Sequence, residues 1–145
     1  MPIKVTWEPG YDRLPRFHWH LDDETREILE RFGIVNELTD GENVFEQGRS
    51  SDSLYIVFQG EVTVIRDGHE VARIGESLSF GEIGLLLGQP RTATIRAVGD
   101  ASILELAQTD LDRMLVEEPT WAARIYRVIA KCLAEYLTKT QEEQR

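Results

Sequence analysis

The segment Phe80-Gly81-Glu82-Ile83-Gly84-Leu85-Leu86-Leu87-Gly88-Gln89-Pro90-Arg91-Thr92-Ala93-Thr94 places a glycine, an acid and a base close together, with apolar residues filling the gaps. These residue types fit a compact ligand that carries one negative charge and a sugar hydroxyl. Arg91 offers a planar fork of donors to phosphate oxygens. Glu82 accepts hydrogen bonds from hydroxyls. Backbone N–H groups at the start of a helical turn favour an anion. One base and one acid suit a nucleotide with a single phosphate rather than a triphosphate.

Such groups need a concave floor, and the flanking sequence predicts one. From Ile34 to Leu106, short apolar runs alternate with turn residues. Asn43 to Glu46 reads as one strand and Leu54 to Phe58 as a stronger one, ended by Gly60. Val62 to Ile65 and Glu70 to Ile74 flank Asp67-Gly68, a strong hairpin signal. Thr92 to Val98 and Ser102 to Leu106 complete the set. Many short strands at even spacing predict a small barrel or jelly roll.

Helices flank this β region. Asp22 or Asp23 can cap a helix that runs to Phe32, with Ile28, Leu29 and Phe32 on one face and Gly33 at its end. A short helix is expected over about 109–118, with Thr109 as its cap. Pro119 then separates it from a long helix over about 120–142. On the long helix, Trp121, Ile125, Val128 and Cys132 line one side, while Ile129, Leu133, Tyr136 and Leu137 widen the apolar surface. A helix that only covers a barrel needs a single stripe. The breadth predicts either contacts on two sides, with a partner helix in a homodimer, or deep burial in a monomer; the dimer is the preferred expectation.

The chain has 145 residues and a formal net charge of −10. The length fits one domain with a real core. Nucleic-acid binders need clustered Lys and Arg to displace counterions, and this acidic chain has no such cluster, so DNA or RNA is not an expected partner. No apolar run approaches the ~20 residues that span a bilayer, so no membrane is expected. The first residues, Met1 to Leu14, lack the apolar core of a signal peptide. The single cysteine, Cys132, cannot form an internal disulfide, and these features together favour a cytoplasmic protein. Trp7, Tyr11, Phe17 and Trp19 are many aromatics for a terminal segment and are expected to pack on the domain or on a partner chain, the domain being the preferred expectation.

Taken in order, the elements and the Phe80–Thr94 segment resemble the cyclic nucleotide-binding domain family. Phe80-Gly81-Glu82 followed by Arg91-Thr92-Ala93-Thr94 carries the resemblance. Phe45-Glu46-Gln47-Gly48 looks like the family's early strand and turn, and Leu54 to Val62 like its central hairpin. The resemblance covers about residues 22–142. It implies a mainly β fold with flanking helices (α+β): an eight-stranded β-roll or jelly roll over about 34–107, with one helix before it and two after. Residues 1–21 then form an N-terminal extension and 22–143 the binding domain.

The resemblance also implies roles. Glu82 accepts from the ribose 2′-hydroxyl and Arg91 pairs with the cyclic phosphate. The N–H groups of Ile83 and Gly84 donate to phosphate oxygens, and Gly81 lets the backbone approach the sugar. Phe80, Thr92 and Ala93 complete the cassette, with Thr92 near phosphate or base. Val64 and Val71 line an apolar base pocket. Thr138 or Thr140 on the last helix could reach a base edge. The expected ligand is a 3′,5′-cyclic nucleotide, cyclic AMP or cyclic GMP, with no other cofactor. The implied function is non-enzymatic: a receptor that signals through its last helix to an unidentified protein effector. A ligand-independent dimerisation module on the same fold is the alternative. No helix-turn-helix segment follows the long helix, so the expectation is a stand-alone sensor or an excised domain.

Other constellations count for less. His18-Trp19-His20 with Glu24 mimics the metal spacing of cupins, but Asp22–Phe32 reads as helix, where such ligands need inward-facing strands. Cys132 reads as a core residue rather than a nucleophile.

Overall fold

The computed structural model describes residues 18–50 and 52–143, with side chains through 138. Helix α1 spans Asp23–Phe32 and starts where the sequence predicts: Asp22 is the cap, its Oδ1 accepting from the Thr25 N–H at 2.8 Å. Ile28, Leu29 and Phe32 are buried. Gly33 ends the helix in extended backbone, φ −101° and ψ −168°, rather than in the left-handed conformation. Glycine is needed there for space, since a Cβ would sit 2.5 Å from the Glu105 carbonyl oxygen.

Six strands follow: β1 Ile34–Leu38, β2 Asn43–Phe45, β3 Ser53–Arg66, β4 His69–Ile74, β5 Ser79–Phe80 and β6 Thr94–Ala107. Pairing is antiparallel throughout, in the order β1-β6-β3-β4, with β2 also on β6 and β5 on β3. The resemblance implies eight strands and six form: of the six runs read from the sequence, 54–58 and 62–65 are joined in one strand, as are 92–98 and 102–106, while β1 and β5 are additional. Gly60 does not end a strand. It bends one, at φ +85° and with register shifts on both sides, and a Cβ there would lie 2.5 Å from the Asp100 carbonyl oxygen. Gly99, at φ +70°, likewise joins the two halves of β6. Each 14-residue strand therefore serves both halves of the roll. Asp67-Gly68 forms the hairpin turn between β3 and β4, both residues at positive φ.

β3 and β6 alternate between two cores. Leu54, Ile56, Phe58, Leu104 and Leu106 face the helices, packing with Leu29, Phe32, Leu111, Met114, Ala122, Ile125 and Ile129. Tyr55, Val57, Val62, Val64, Ala97, Ala101 and Ile103 face into the roll with Ile74, Phe80 and Ile95. A period of two sends successive side chains to opposite faces, and both faces of β3 are covered, which explains its unbroken apolar run.

Helix α2 spans Glu82–Leu87, α3 Gln108–Glu117 and α4 Pro119–Glu143. The cap of α3 is not Thr109. The helix starts one residue earlier, with Ala107 at the capping position and its N–H donated to Asp110 Oδ2 at 2.7 Å. Pro119 opens α4, where a missing N–H costs nothing. Trp19 is buried in the helix-side core and its backbone N–H donates to the Ser77 carbonyl at 2.7 Å. Trp7, Tyr11 and Phe17 lie outside the described residues. No described helix is long and apolar enough to cross a membrane.

Candidate ligand-binding site

A cavity opens at one end of the roll, between the Phe80–Thr94 segment and α4. Its wall contains Phe80, Gly81, Glu82, Ile83, Gly84, Arg91, Thr92, Ala93 and Val64, so all but one of the cassette and base-pocket candidates meet there. The exception is Val71. It packs partly buried against the roll core, outside the cavity wall. The β3–β4 register explains this: Val64 pairs with Ala72 and Ile65 with Glu70, so Val71 sits at a bulge, while Ile74 of the same strand takes a place in the wall.

Arg91 is held in place by the protein's own groups. It is only 6% exposed. Its backbone is tied to the turn after β2, with Arg91 N–H donating to the Arg49 carbonyl and Gly48 N–H to the Arg91 carbonyl, both at 2.8 Å. Nη2 donates to the Ser53 carbonyl at 2.6 Å and Nη1 to the Gly81 carbonyl at 3.2 Å. The guanidinium carbon lies 4.4 Å from the centre of the Phe45 ring and 5.8 Å from that of Tyr55. Phe45, Tyr55 and Phe80 form one aromatic group, Tyr55 stacked on Phe80 at 5.2 Å.

Arg91 Nε is buried with no hydrogen-bond partner, and among the described residues no carboxylate is ion-paired with the guanidinium. Burial pushes its pKa down, opposed by the charges of Tyr55, Glu82, Glu105 and Asp52. An arginine nonetheless keeps its proton in proteins. A buried cation held by carbonyl dipoles and aromatic faces is a seat for an anion, because buried charge is normally paired.

Gly81 is required by this arrangement. Its φ is +88°, and a Cβ would lie 2.9 Å from both Arg91 Nη1 and the Ser53 carbonyl oxygen. The first bond of α2 runs from Leu85 N–H to the Gly81 carbonyl. The N–H groups of Ile83 and Gly84 therefore precede the helix's own ladder, the position from which backbone donors meet an anion.

Glu82 is half-buried, and its Oε1 accepts from Ser79 Oγ at 2.5 Å. Burial raises its pKa; the Ser79 bond and the Arg91 charge oppose that shift. Cys132 Sγ, on α4, lies 3.9 Å from the same Ser79 hydroxyl, and burial raises the thiol to about 11. The sequence reading of Cys132 as a core residue holds, since it is 3% exposed, but it also faces the cavity with Leu133 and Tyr136. Thr138 bonds the Ala134 carbonyl of its own helix at 2.9 Å and lies outside the wall; the Thr140 side chain is outside the described residues.

Sequence reasoning missed Phe45, Ile74, Ser79, Ile95 and the three α4 residues. For Ser79, the spacing of three residues before Glu82 was an available signal. For α4 it was the broad apolar surface. Among the described residues no group of three or more His, Cys, Asp or Glu side chains could hold a metal ion; His18 and His20 are exposed.

An antiparallel roll whose cavity wall carries a buried arginine and a carboxylate defines a domain of the β-roll class. A family model for the cyclic nucleotide-binding domain matches residues 35–118, more than half the chain, and the chain belongs to that family. Among solved structures it is similar to the N-terminal domain of a transcriptional regulator from Streptomyces coelicolor A3(2), with 34% identity, TM-score 0.67, and coverage of 86% of this chain and 92% of that one. It is also similar to a protein of a cyclic-GMP-dependent signalling pathway that regulates bacterial phytopathogenesis, with 29% identity, TM-score 0.67, and coverage of 81% and 98%. The Thermus thermophilus catabolite activator protein matches at 27% identity and TM-score 0.64, over 86% of this chain and 57% of that one.

Proposed function

We propose that this domain is a non-enzymatic receptor for a 3′,5′-cyclic mononucleotide, cyclic AMP or cyclic GMP, that signals through α4. The observation that carries the reading is Arg91: a buried guanidinium with an unpartnered Nε, facing a cavity that also holds Glu82. The pair suits one phosphate charge and one ribose hydroxyl. The regulators among the similar structures support a signalling role, and the cyclic-GMP-dependent pathway protein supports guanine as one candidate base.

In this reading the cyclic phosphate sits against Arg91 Nε and the N–H groups of Ile83 and Gly84. The ribose 2′-hydroxyl donates to Glu82, with Gly81 beneath the sugar. The base lies toward Val64, Ile74 and Ile95, with Thr92 at its edge and Leu133 and Tyr136 over it. α4 then reports occupancy, and it transmits only the difference in ligand affinity between its two positions. A homodimer through α4, a protein effector and a cytoplasmic setting belong to the same proposal.

Thermal unfolding with added nucleotides tests the pairing of roles. Cyclic AMP or cyclic GMP at about 100 times its Kd should stabilise the fold by about 2.7 kcal/mol. The 2′-deoxy analogue should stabilise it less, because Glu82 loses its donor. Equal stabilisation by both would remove Glu82 from the site. No stabilisation by any cyclic nucleotide would favour a ligand-independent interaction module.

A further inference from the structure

We infer that Ser53 and Glu105 are positioning residues for Arg91: the Glu105 carboxylate fixes the Ser53 residue, whose carbonyl aims the guanidinium at the ligand's phosphate. The inference rests on the nucleotide reading above.

Ser53 is 3% exposed and is gripped from two sides. Its hydroxyl donates to Glu105 Oε2 at 2.9 Å, and its carbonyl accepts from Arg91 Nη2 at 2.6 Å, the shortest of the guanidinium's hydrogen bonds. The sheet makes this meeting obligatory. Ser53 pairs with Ala107 and Tyr55 with Glu105, so Ser53 and Glu105 are diagonal neighbours on adjacent strands. The β3 alternation turns Ser53, like Tyr55, away from the helix-side core that takes Leu54. The other carboxylate oxygen of Glu105 accepts from Asn36 Nδ2 at 3.4 Å, which joins β1 to the same chain of bonds. The preceding peptide is pinned as well, since Gln108 N–H donates to the Asp52 carbonyl at 3.0 Å.

The chemistry of this arrangement is specific. A carboxylate in direct contact with Arg91 would neutralise it and compete with phosphate for its donors. Glu105 stands one residue behind instead. It lends negative charge that favours the guanidinium, yet takes none of its donors: Nη1 and Nη2 go to backbone carbonyls and Nε keeps no hydrogen-bond partner. A charged acceptor also holds its donor more firmly than a neutral one, so the Ser53 carbonyl is a fixed point against which the fork is set.

A buried serine that merely satisfies its hydroxyl would affect stability and nothing else. The discriminating readout is phosphate geometry. Affinities for the two phosphorothioate diastereomers of cyclic AMP and of cyclic GMP, with sulfur at one or the other exocyclic position, report which oxygen the arginine contacts. The native chain should prefer one diastereomer. Ser53→Ala and Glu105→Gln should each weaken binding of the parent nucleotide about tenfold, equivalent to about 1.4 kcal/mol, and bring the diastereomer ratio toward one. In an Arg91→Ala background neither should change the ratio further. Melting curves verify that each variant is folded, and the isosteric Glu105→Gln carries the test if Ser53→Ala does not fold. An unchanged ratio in folded variants, or no preference in the native chain, overturns the inference and leaves the nucleotide reading standing. No binding of either parent nucleotide by the native chain overturns both.

Discussion

At the scale of single residues, Arg91 and Glu82 were legible from type and spacing because their chemistry is local: each sits in one short segment with Gly81 between strand and turn. Cys132 was not, because what matters about it is its meeting with Ser79, 53 positions away. Val71 shows the opposite error. The resemblance implies it beside Val64 in the base pocket, but the bulge at Val64/Ile65 pairs Val64 with Ala72 instead. The raised pKa of Glu82 gives a prediction without ligand. The folded protein keeps a proton that the unfolded chain releases near the ordinary glutamate value. That contribution is present in full below the ordinary value and is lost as pH rises through the folded pKa. Glu82→Gln carries no such proton. Its melting temperature relative to the native chain should therefore climb as pH is raised from about 4 to about 7. A difference that stays constant across that range would mean the carboxyl is fully solvated.

At the scale of elements, the hairpin at Asp67-Gly68, the cap at Asp22 and the break at Pro119 could all be read because each depends on one or two residues. The continuity of β3 and β6 could not. A glycine in a strand looks the same in sequence whether it ends the strand or bends it, and only the approach of Asp100 to Gly60 decides. The broad apolar surface of α4 has an explanation within the chain: Ala122, Ile125 and Ile129 cover the helix-side core, while Cys132, Leu133 and Tyr136 close the cavity further along. That placement predicts how Cys132 reacts. With its thiol raised to about 11, little thiolate exists near neutral pH, so alkylation by iodoacetamide should be slow. Saturating cyclic nucleotide should slow it further, since the ligand would occupy the space beside the thiol. Rapid labelling, indifferent to nucleotide, would place α4 away from the cassette.

At the scale of the whole molecule, the two cores divide the work. The helix-side core fixes α1, α3 and the first half of α4 against β3 and β6, and the roll core sets the floor on which Arg91 rests. The chain is acidic, −10 overall, so the buried Arg91 stands out as the seat proposed for the ligand's phosphate. If Arg91 pairs with the phosphate as proposed, removing it strips a charge-assisted bond worth ~1.5–3 kcal/mol and leaves the phosphate desolvated without a partner. Calorimetric titration of the native chain and of Arg91→Ala with cyclic AMP and cyclic GMP measures this directly. The native chain should bind at least one of them saturably, and the variant about tenfold or more weakly. Equal affinity in native and variant chains, or no binding by the native chain, would contradict the nucleotide reading.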